Sequence, residues 1–518
     1  MSTNGMIATS QPMAVQAGLE VLKQGGNAMD AAICASAVLC VTEPQSTGIG
    51  GDNFILYHEN KTGKLHGLNG SGRAPAMGTL EAYQSRGLQA IPERGILSVS
   101  IPGAVHAWEQ ALEKFGSRSL GDMLQPAIDY AESGYAVSPV VAHFWERNAE
   151  LLKKTESSRK AMLVNDKAPA VGSKHRQPDL ARTLRLIATE GSKAFYEGPI
   201  AKAISDYMKA NDGLIREEDM AAHRSQWVEP IASDYHGLRL FEIPPNGQGI
   251  AAQMTLNMLE QVDMGTLDHL SPEHIHLVSE AFKMAIGERE KWVADMDHVE
   301  VPVAQMLDKD FAKKQLERFS PDKALEFPVA SALATQHKDT VYLSVVDKDG
   351  NCCSFINSLY HNFGSGVVAG DTGIMLQNRG AGFVLEPGHA NQIAPGKRPM
   401  HTIIPAMVYR NDKPVLCFGV MGGQYQAMGH SYVLSNWIDY GMDLQQAIDA
   451  PRFLPMDGVL TVETTIPQAT REALIKKGHK VEAAEVPLGG GQAIYLDHEN
   501  GTMHAASDPR KDGCAMGF

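Results

Sequence analysis

A threonine at the start of a predicted β-strand carries the first candidate chemistry in this 518-residue chain. Thr340 follows Asp339, and the run 341–346 after it has the alternation and β-branched content typical of a strand. A hydroxyl is a weak nucleophile until a neighbouring base takes its proton. A threonine that opens a strand is ordinarily structural, so the residue type by itself leaves both roles open.

Motifs of several other enzyme classes are absent from the sequence. There is no Gly-x4-Gly-Lys-Ser/Thr phosphate loop, no His-Glu-x-x-His and no Gly-x-Ser-x-Gly. The glycines within 48–51 lack the preceding strand and following helix of a dinucleotide-binding turn, which favours a tight turn. The 19 histidines show no metal-ligand spacing, and the six cysteines form no Cys-x-x-Cys pair. We therefore predict no metal site, and cysteines that act as small buried hydrophobes in a reducing compartment.

The charge balance argues against nucleic acid and membrane partners. With 46 Lys+Arg against 60 Asp+Glu, the formal charge is −14, and such a field repels phosphate groups. The most apolar stretch, from Ala31 to Val41, is far shorter than the roughly 20 residues of a membrane span. Residues 1–11 lack the basic start and apolar middle of a signal peptide, so we expect a cytoplasmic protein.

The first two thirds of the chain are predicted to be mainly helical. Apolar spacing indicates a helix that ends at Gly25-Gly26 and a second over Ala28 to about Val41, followed by a short hairpin around 54–63. From about 104 to 290 the pattern is mostly helical, and Ser271-Pro272 has the residue types that open a helix.

Past residue 320 the sequence becomes rich in predicted strands. The polar run 335–339 is expected to be exposed, and an Asp349-Gly350 turn joins the strand that begins at Thr340 to a return strand over 352–356. Further strands are predicted over 403–409 and 415–420, with a helix over 432–440. The resulting fold class is α+β, with sheets packed under helices.

Motifs along essentially the whole chain resemble the γ-glutamyltranspeptidase family and stand in the family's order. One begins at Asp339-Thr340 and continues through Ser344 to Asn351 and then Phe363-Gly-Ser-Gly366. The others are Gln24-Gly-Gly-Asn-Ala-x-Asp-Ala-Ala32, Glu43-Pro-Gln-Ser-x-Gly-Ile-Gly-Gly51, Val99-Ser-Ile-Pro-Gly-Ala-Val105, Pro244-Pro-Asn-Gly-Gln-Gly249, Gly422-Gly423, Asp449-Ala-Pro-Arg-Phe453 and Ala506-Ser-Asp-Pro-Arg-x-Asp-Gly513.

This resemblance implies an N-terminal-nucleophile (Ntn) hydrolase with a four-layer αββα sandwich. It implies self-cleavage between Asp339 and Thr340, giving a helix-rich large subunit (1–339) and a nucleophile-bearing small subunit (340–518) that together form one αββα unit. Cleavage would create the missing base, because an N-terminal α-amine has a pKa of about 7.7–8.0 and is attached to the nucleophile itself.

The resemblance also assigns the groups around the nucleophile. Gly422 and Gly423 would form the oxyanion hole, where the lack of side chains lets backbone N–H groups approach the substrate; a plain turn is the alternative interpretation. Ser358 stands where the family has a threonine that positions the nucleophile.

The sequence departs from the family where true γ-glutamyl enzymes bind the donor's α-carboxylate and α-amine. Ser71 replaces an arginine, and His401-Thr402 replace a pair of serines. Tyr360, Arg379 and Gly382 replace the amine ligands.

A cation and a glycine in place of an amide and a carboxylate disfavour an ammonium group and favour an anion. Arg73, Arg379 and His401 are therefore candidates for binding an acidic acyl group, with Tyr360 and the adjacent Asn378 and Thr402 completing the predicted pocket. A structural salt bridge is an equal alternative for Arg73. The segment between Phe383 and Lys397 is shorter than the family's lid, which predicts a more open mouth.

These departures resemble the branch that contains oxamate amidohydrolase and glutaryl-type acylases. The predicted function is a self-processing amidohydrolase of a small carboxylate-bearing amide, with oxamate to oxalate and ammonia as the specific interpretation. The alternatives are a γ-glutamyltransferase or glutathione hydrolase, a glutaryl or cephalosporin acylase, and an uncleaved binding protein. No cofactor is implied; the predicted partners are the small amide and the two subunits, and the oligomeric state stays open.

Overall fold

A computed structural model describes residues 1–327 and 340–518 of the chain. The strands are β1 (Met6–Thr9), β2 (Asp52–Glu59), β3 (Lys64–Gly70), β4 (Tyr135–Ala136), β5 (Lys174–His175), β6 (Gln226–Val228), β7 (Ile231–Tyr235), β8 (Leu238–Glu242), β9 (Val341–Val346), β10 (Cys352–Ser358), β11 (Ala406–Arg410), β12 (Lys413–Met421), β13 (Phe453–Met456), β14 (Val459–Val462), β15 (Val481–Ala483), β16 (Gly490–Asp497), β17 (Thr502–Ser507) and β18 (Cys514–Gly517).

The α-helices are α1 (Pro12–Lys23), α2 (Ala28–Thr42), α3 (Leu80–Gln84), α4 (Ala104–Phe115), α5 (Leu120–Ser133), α6 (Pro139–Arg147), α7 (Ala149–Leu152), α8 (Glu156–Met162), α9 (Pro178–Glu190), α10 (Ser192–Tyr196), α11 (Pro199–Ala210), α12 (Glu217–Ala222), α13 (Gly249–Leu259), α14 (Pro272–Trp292), α15 (Val303–Met306), α16 (Lys309–Leu316), α17 (Tyr425–Ile438), α18 (Leu444–Asp449) and α19 (Gln468–Lys476).

Two stacked sheets form the centre of the molecule. One has seven strands in the order β18-β1-β9-β10-β2-β3-β6, and the other has six in the order β17-β16-β12-β11-β8-β7. Alternation along β9 shows the stacking, because Tyr342 packs between the sheets whereas Leu343 packs against the outer helices. In β12 the neighbours Cys417 and Phe418 divide in the same way.

Helices cover the outer face of each sheet. Helices α1, α2 and α4 cover the seven-stranded sheet, with α5 packed on α2 and α9 on α5. Helices α13 and α17 cover the six-stranded sheet, with α14 packed on α13. The architecture is therefore the four-layer αββα sandwich that the sequence predicts. A helix layer on each outer face gives both sheets an apolar neighbour on each side, as the mostly apolar strands require.

Helix α2, which packs against β9 and β10 of the seven-stranded sheet, is buried along its whole length. Every residue from Ala28 to Thr42 is buried, as expected for a helix that is apolar all round. Its N-terminus is closed by a capping box in which the Asn27 side chain accepts from the backbone of Met29 and Asp30, and the Asp30 carboxylate accepts from Asn27 N. The same asparagine donates to Phe115 O at 2.7 Å and so ties α2 to α4.

Several predicted boundaries differ from those in the structure. The helix predicted over 432–440 begins at Tyr425, and the strand predicted over 403–409 is Ala406–Arg410. The region 104–290, interpreted as mostly helical, contains the strands β6, β7 and β8. Strand β1 escaped prediction, because four residues are too few for a clear alternation. The run 335–339 lies outside the described residues.

The cysteines and the helices can each be compared with what the sequence predicts. All six cysteines are free, and five of them are buried. Across residues 1–327 and 340–518, no helix has both the length and the apolar character that crossing a bilayer requires.

The cap of α2 provides a test of this packing. Asn27→Ala should lower the free energy of unfolding by about 1–2 kcal/mol, because it leaves backbone N–H groups at a buried helix start without acceptors. Thermal or urea unfolding of the purified protein measures the change. Asn4→Ala is the matched control, since that side chain is exposed and, among the described residues, hydrogen-bonds its neighbour Thr3 alone. Equal midpoints for the two variants would contradict the proposed contribution of the cap.

Candidate active site

The pairing of β9 with β10 brings Thr340 beside Ser358. Val341 is paired with Asn357, so the next residues outward, Thr340 and Ser358, face each other at the end of the ladder. Their hydroxyl oxygens lie 3.0 Å apart, and Thr340 is 1% exposed. Gln426 Nε2 approaches Thr340 Oγ1 from α17 at 3.5 Å. The predicted nucleophile is therefore a buried hydroxyl at the start of β9, with Ser358 of β10 and Gln426 of α17 beside it.

The hydrogen bonds of Ser358 determine what it can offer to Thr340. Ser358 Oγ accepts the backbone N–H of Tyr360 at 2.9 Å. Because that contact uses a lone pair, the hydroxyl hydrogen of Ser358 is available to Thr340 Oγ1. A donor at this position stabilises negative charge that develops on the threonine oxygen as it loses its proton.

Gly422 and Gly423 form the turn between β12 and α17. Their φ values of +124° and +58° lie in the region that favours glycine, and a Cβ on Gly422 would stand 2.7 Å from Gly489 Cα. Within the described ranges, neither backbone N–H has a hydrogen-bond acceptor. Free N–H groups at the start of a 14-residue helix are suited to an oxyanion.

Gln248, just before α13, holds this turn in place. Its Nε2 donates to Gly423 O at 3.0 Å and to Thr402 O at 2.7 Å. The buried Arg289 of α14 donates through Nη1 to Gln248 Oε1 and to Gln424 Oε1. Arginine has donors only, so it fixes which end of the Gln248 amide faces the two carbonyls.

Arg379 lies fully buried beside Tyr360. Its guanidinium carbon is 3.9 Å from the centre of the Tyr360 ring, and its Nη1 donates to Thr402 Oγ1 at 2.8 Å. Burial lowers the pKa of Arg379 from 12.5 to about 10, although nearby Asp52 opposes the shift. The group is still a cation at neutral pH.

Two donors of Arg379 have no partner within the part of the chain that the structure describes. They are Nε and Nη2, both shielded from solvent. Buried donors of a charged group are costly to leave unsatisfied, which makes this guanidinium a ready site for an anion.

Asp52, at the start of β2, organises the loops on the other side of this cluster. Its Oδ1 accepts from Gly72 N at 2.9 Å and from Gln377 Nε2 at 2.8 Å, and its Oδ2 is 3.0 Å from His401 Nε2. Because His401 Nδ1 accepts from Ile403 N, the ring hydrogen lies on Nε2 and is donated to Asp52. Burial, with the nearby Arg379, lowers the pKa of His401 to about 4, so the ring is neutral at pH 7.

The remaining predicted site residues are occupied by contacts within the protein. Arg73 forms ion pairs with Asp295 at 3.5 Å and Asp297 at 3.2 Å, and its side chain is 20% exposed. These are the salt bridges that the alternative interpretation expects. Asn378 accepts His361 N at 3.0 Å and donates to Glu93 O at 2.6 Å, which joins two loops. Roles for Arg73 and Asn378 in substrate binding stay predictions.

A cavity of about 630 Å³ reaches the glycine turn. Gly422 and Gln424 form part of its wall, together with Arg94, Phe144 and Met456. The volume is within the range of small-molecule sites, and Gly422 links it to the predicted oxyanion donors.

Three buried polar residues that position the site are not among the residues predicted from the sequence. Gln248 stands inside Pro244-Pro-Asn-Gly-Gln-Gly249, and Asp52 directly follows Gly50-Gly51. Arg289 lies on a helix that showed only apolar periodicity and acidic capping. A polar side chain within a glycine-rich motif was the available signal, but its partners are 20 to more than 300 residues away.

Comparison with known proteins shows the family of the chain. The family model described as Gamma-glutamyltranspeptidase matches residues 14–518. The chain belongs to that family. It is 39% identical over 529 residues to the glutathione hydrolase-like YwrD proenzyme of Bacillus subtilis, covering 100% of this chain and 99% of that protein. It is 35% identical over 532 residues to the oxamate amidohydrolase proenzyme of Klebsiella pneumoniae, with the same coverage.

A solved structure extends the similarity to the fold. The chain superposes on cephalosporin acylase from Bacillus halodurans with a TM-score of 0.93 and 41% identity, covering 100% of this chain and 96% of that one. The protein is thus an amidohydrolase of the Ntn class in the γ-glutamyltranspeptidase family. The predictions of family, fold class and enzyme class are confirmed.

The buried His401 predicts a pH-dependent stability for this γ-glutamyltranspeptidase homologue. An unfolded histidine binds a proton as the pH falls through 6.5, whereas folded His401 stays neutral down to about 4. The unfolded state therefore gains protons first, and stability falls as the pH drops through this window, by about 3 kcal/mol for this residue. His401→Gln, which keeps an N–H for Asp52, should flatten the decline in unfolding midpoint between pH 6.5 and 4.

The exposed His143 is the matched control for this measurement. His143→Gln should leave the pH profile of the unfolding midpoint unchanged. Parallel profiles for the parent and His401→Gln would contradict the assignment of a neutral, buried imidazole at position 401.

Proposed function

We propose that this chain is a self-processing amidohydrolase whose nucleophile is Thr340 and whose acyl donor is a small amide bearing a carboxylate. The observation that carries the substrate class is the buried Arg379, which has two donors without partners among the described residues and is linked through Tyr360 and Ser358 to Thr340. Oxamate, converted to oxalate and ammonia, is the preferred substrate, because its carboxylate adjoins the reacting carbonyl.

Self-processing starts from the Thr340 hydroxyl. The oxygen attacks the carbonyl carbon of Asp339, the peptide nitrogen leaves that carbon and takes a proton, and the acyl group is then carried as an ester on Thr340. Water opens the ester and leaves chains 1–339 and 340–518. Asp339 itself lies outside the described residues. The new α-amine at Thr340 supplies the base that the intact chain lacks.

The catalytic cycle uses the same groups on a substrate amide. The Thr340 amine takes the hydroxyl proton as Oγ1 attacks the amide carbonyl, and the oxyanion is bound by the N–H groups of Gly422 and Gly423. The amine then gives its proton to the leaving nitrogen, which departs as ammonia or an amine. Water, deprotonated by the same amine, hydrolyses the acyl-Thr340 ester and releases the acid.

The charges in the cluster favour an anionic acyl group over a γ-glutamyl group. A γ-glutamyl donor carries an ammonium beside its carboxylate, and an ammonium next to the Arg379 guanidinium would be repelled. Asp52 is the carboxylate of the cluster, and its oxygens already accept from Gly72, Gln377 and His401. A carboxylate can instead pair with Arg379 through the two open donors, in the geometry that guanidinium groups favour.

An acylase for larger dicarboxylic monoamides is the second candidate. The cavity of about 630 Å³ beside Gly422 exceeds what ammonia or oxamate requires, and apolar side chains such as Phe144 and Met456 line part of it. Such a cavity suits a bulky leaving group. The similarity to cephalosporin acylase agrees with this alternative.

Thr340→Ala tests both self-processing and the nucleophile. The purified variant should remain a single 56.1 kDa chain, because alanine lacks the oxygen that attacks the peptide bond. It should show no amidase activity, because it has neither this nucleophile nor the α-amine that cleavage would release. Thr340→Ser keeps a hydroxyl and is the matched control, which should still be cleaved at a reduced rate. Denaturing gels and N-terminal sequencing report the cut.

Two outcomes of this experiment separate the alternatives. A cleaved and active Thr340→Ala protein would remove Thr340 from the mechanism. A parent protein that persists as one chain and lacks activity would favour the uncleaved binding protein.

Arg379→Met tests the substrate class. For oxamate, kcat/KM should fall about 100-fold, since two charge-assisted hydrogen bonds to the carboxylate are lost. For oxamide, the neutral analogue of the same shape, the fall should be much smaller. Steady-state ammonia release measures both, and turnover of glutaryl and γ-glutamyl anilides by the parent ranks the alternative donors.

Arg86→Met is the control for the loss of a positive charge. Arg86 forms an exposed ion pair with Asp212, so its replacement should leave both rates unchanged. If Arg379→Met lowers the rates for oxamate and oxamide equally, Arg379 supports the fold of the site and does not bind a carboxylate.

A further inference from the structure

Three buried side chains from the two predicted subunits converge at one point outside the active site. His276 and Glu280 lie one turn apart on α14, and His479 follows α19 near the other end of the sequence. In the ranges 1–327 and 340–518, these three form the group of potential metal ligands whose ligand atoms all lie within 4.8 Å of one another. The side chains are between 0% and 3% exposed.

The distances between the ligand atoms suit a small divalent cation. His276 Nδ1 is 2.7 Å from His479 Nε2, and Glu280 Oε1 is 3.9 Å and 3.8 Å from these two nitrogens. A point equidistant from all three atoms lies about 2.1 Å from each, which is a zinc bond length. The two nitrogens are hydrogen-bonded in the metal-free protein, so the rings must move apart to about 3.3 Å, and His479 must give up the shared hydrogen, to become tetrahedral zinc ligands.

The surrounding backbone orients the ligands towards this point. His276 Nε2 donates to Ser320 O at 2.8 Å, so the ring's lone pair lies on Nδ1. Glu280 Oε2 accepts Leu325 N at 2.8 Å, which leaves Oε1 directed at the two rings. In metal sites, a ligating histidine usually donates its other ring N–H to a carbonyl or carboxylate oxygen. A ligating carboxylate usually accepts a further hydrogen bond.

A neighbouring lysine supplies the positive charge beside the cluster in the metal-free protein. Lys283 Nζ lies 2.6 Å from Glu280 Oε1 and also donates to Leu325 O at 2.7 Å. Lys283 therefore balances the buried glutamate in the metal-free protein and competes with an ion for Oε1.

There is space beside the cluster for a water ligand. A cavity of about 50 Å³ is lined by Lys283, Leu325 and His479, among others. This volume is enough for one water molecule, which would complete a four-coordinate site of two nitrogens and two oxygens.

We propose that His276, Glu280 and His479 form a zinc-binding site that ties α14 to the C-terminal part of the chain and to the segment 320–327. The ion would hold the last described residues before Thr340 against α14, through Ser320 and Leu325. The statement that it joins two separate chains rests on the proposed cleavage, whereas zinc binding itself does not. The sequence analysis expected no metal, because His479 is far from the His276-x3-Glu280 pair along the chain.

Zinc titration of the tag-free protein after chelator treatment and dialysis tests the proposal. A chromophoric competing chelator should report one ion per chain, bound more tightly than about 1 µM, and Co²⁺ should give the visible absorption of a four-coordinate ion. Affinity should fall at least about 100-fold in His479→Ala and in Glu280→Gln. His175→Ala, which removes a buried histidine outside the cluster, is the matched control and should leave zinc affinity unchanged.

Two further variants keep the test decisive. Lys283→Met removes the competing ammonium but keeps all three ligands, so it should bind zinc more tightly than the parent. Titration of Thr340→Ala separates this proposal from the proposed function, because an uncleaved chain should bind zinc equally well. Absence of stoichiometric binding in both the parent and Lys283→Met, or unchanged affinity in folded His479→Ala, would show that the cluster is only a hydrogen-bonded network.

Discussion

The register between β9 and β10 is the constraint on which the active site depends. Pairing of Val341 with Asn357 places the Thr340 and Ser358 hydroxyls 3.0 Å apart, at the point where the ladder ends. A shift of one residue would turn every side chain of β9 to the opposite face of the sheet. Helix α2 and the second sheet bury both faces of β9, so the packing of the whole core selects this register. The position of Thr340, the proposed nucleophile, is thus a consequence of core packing and not of a flexible loop.

Both parts of the chain contribute strands to both sheets. The seven-stranded sheet places β1 between β18 and β9, and β10 beside β2, so strands from 1–327 are paired with strands from 340–518 at three places. The six-stranded sheet joins β8 to β11 across the same division. Under the proposed cleavage, these backbone hydrogen bonds and the shared cores hold the two products together. Strand β9 is paired on both sides, so it can keep its place when the peptide bond before Thr340 is cut.

The buried Arg379 connects the stability of the protein with the proposed specificity. Removing a guanidinium from water is costly, and the contacts with Thr402 Oγ1 and the Tyr360 ring satisfy only part of the group. Asp52 reduces the cost through its charge, but its oxygens are held by other donors. A substrate carboxylate would supply the missing acceptors, which is why the same residue indicates both incompletely satisfied donors in the free protein and an anionic ligand.

Local patterns in the sequence determined the α+β class, the buried helix α2, the hairpin after Thr340 and, through motifs in order, the family. They also placed Thr340, Ser358 and the glycine pair as candidates for one site. Only the tertiary structure showed that Asp52, Gln248 and Arg289 orient the surrounding loops, and that His479 meets His276. Helix and strand signals depend on neighbours within a few residues, whereas these contacts join positions 40 to more than 300 residues apart. Whether Arg73 forms a salt bridge was likewise decided by Asp295 and Asp297, which no local pattern links to it.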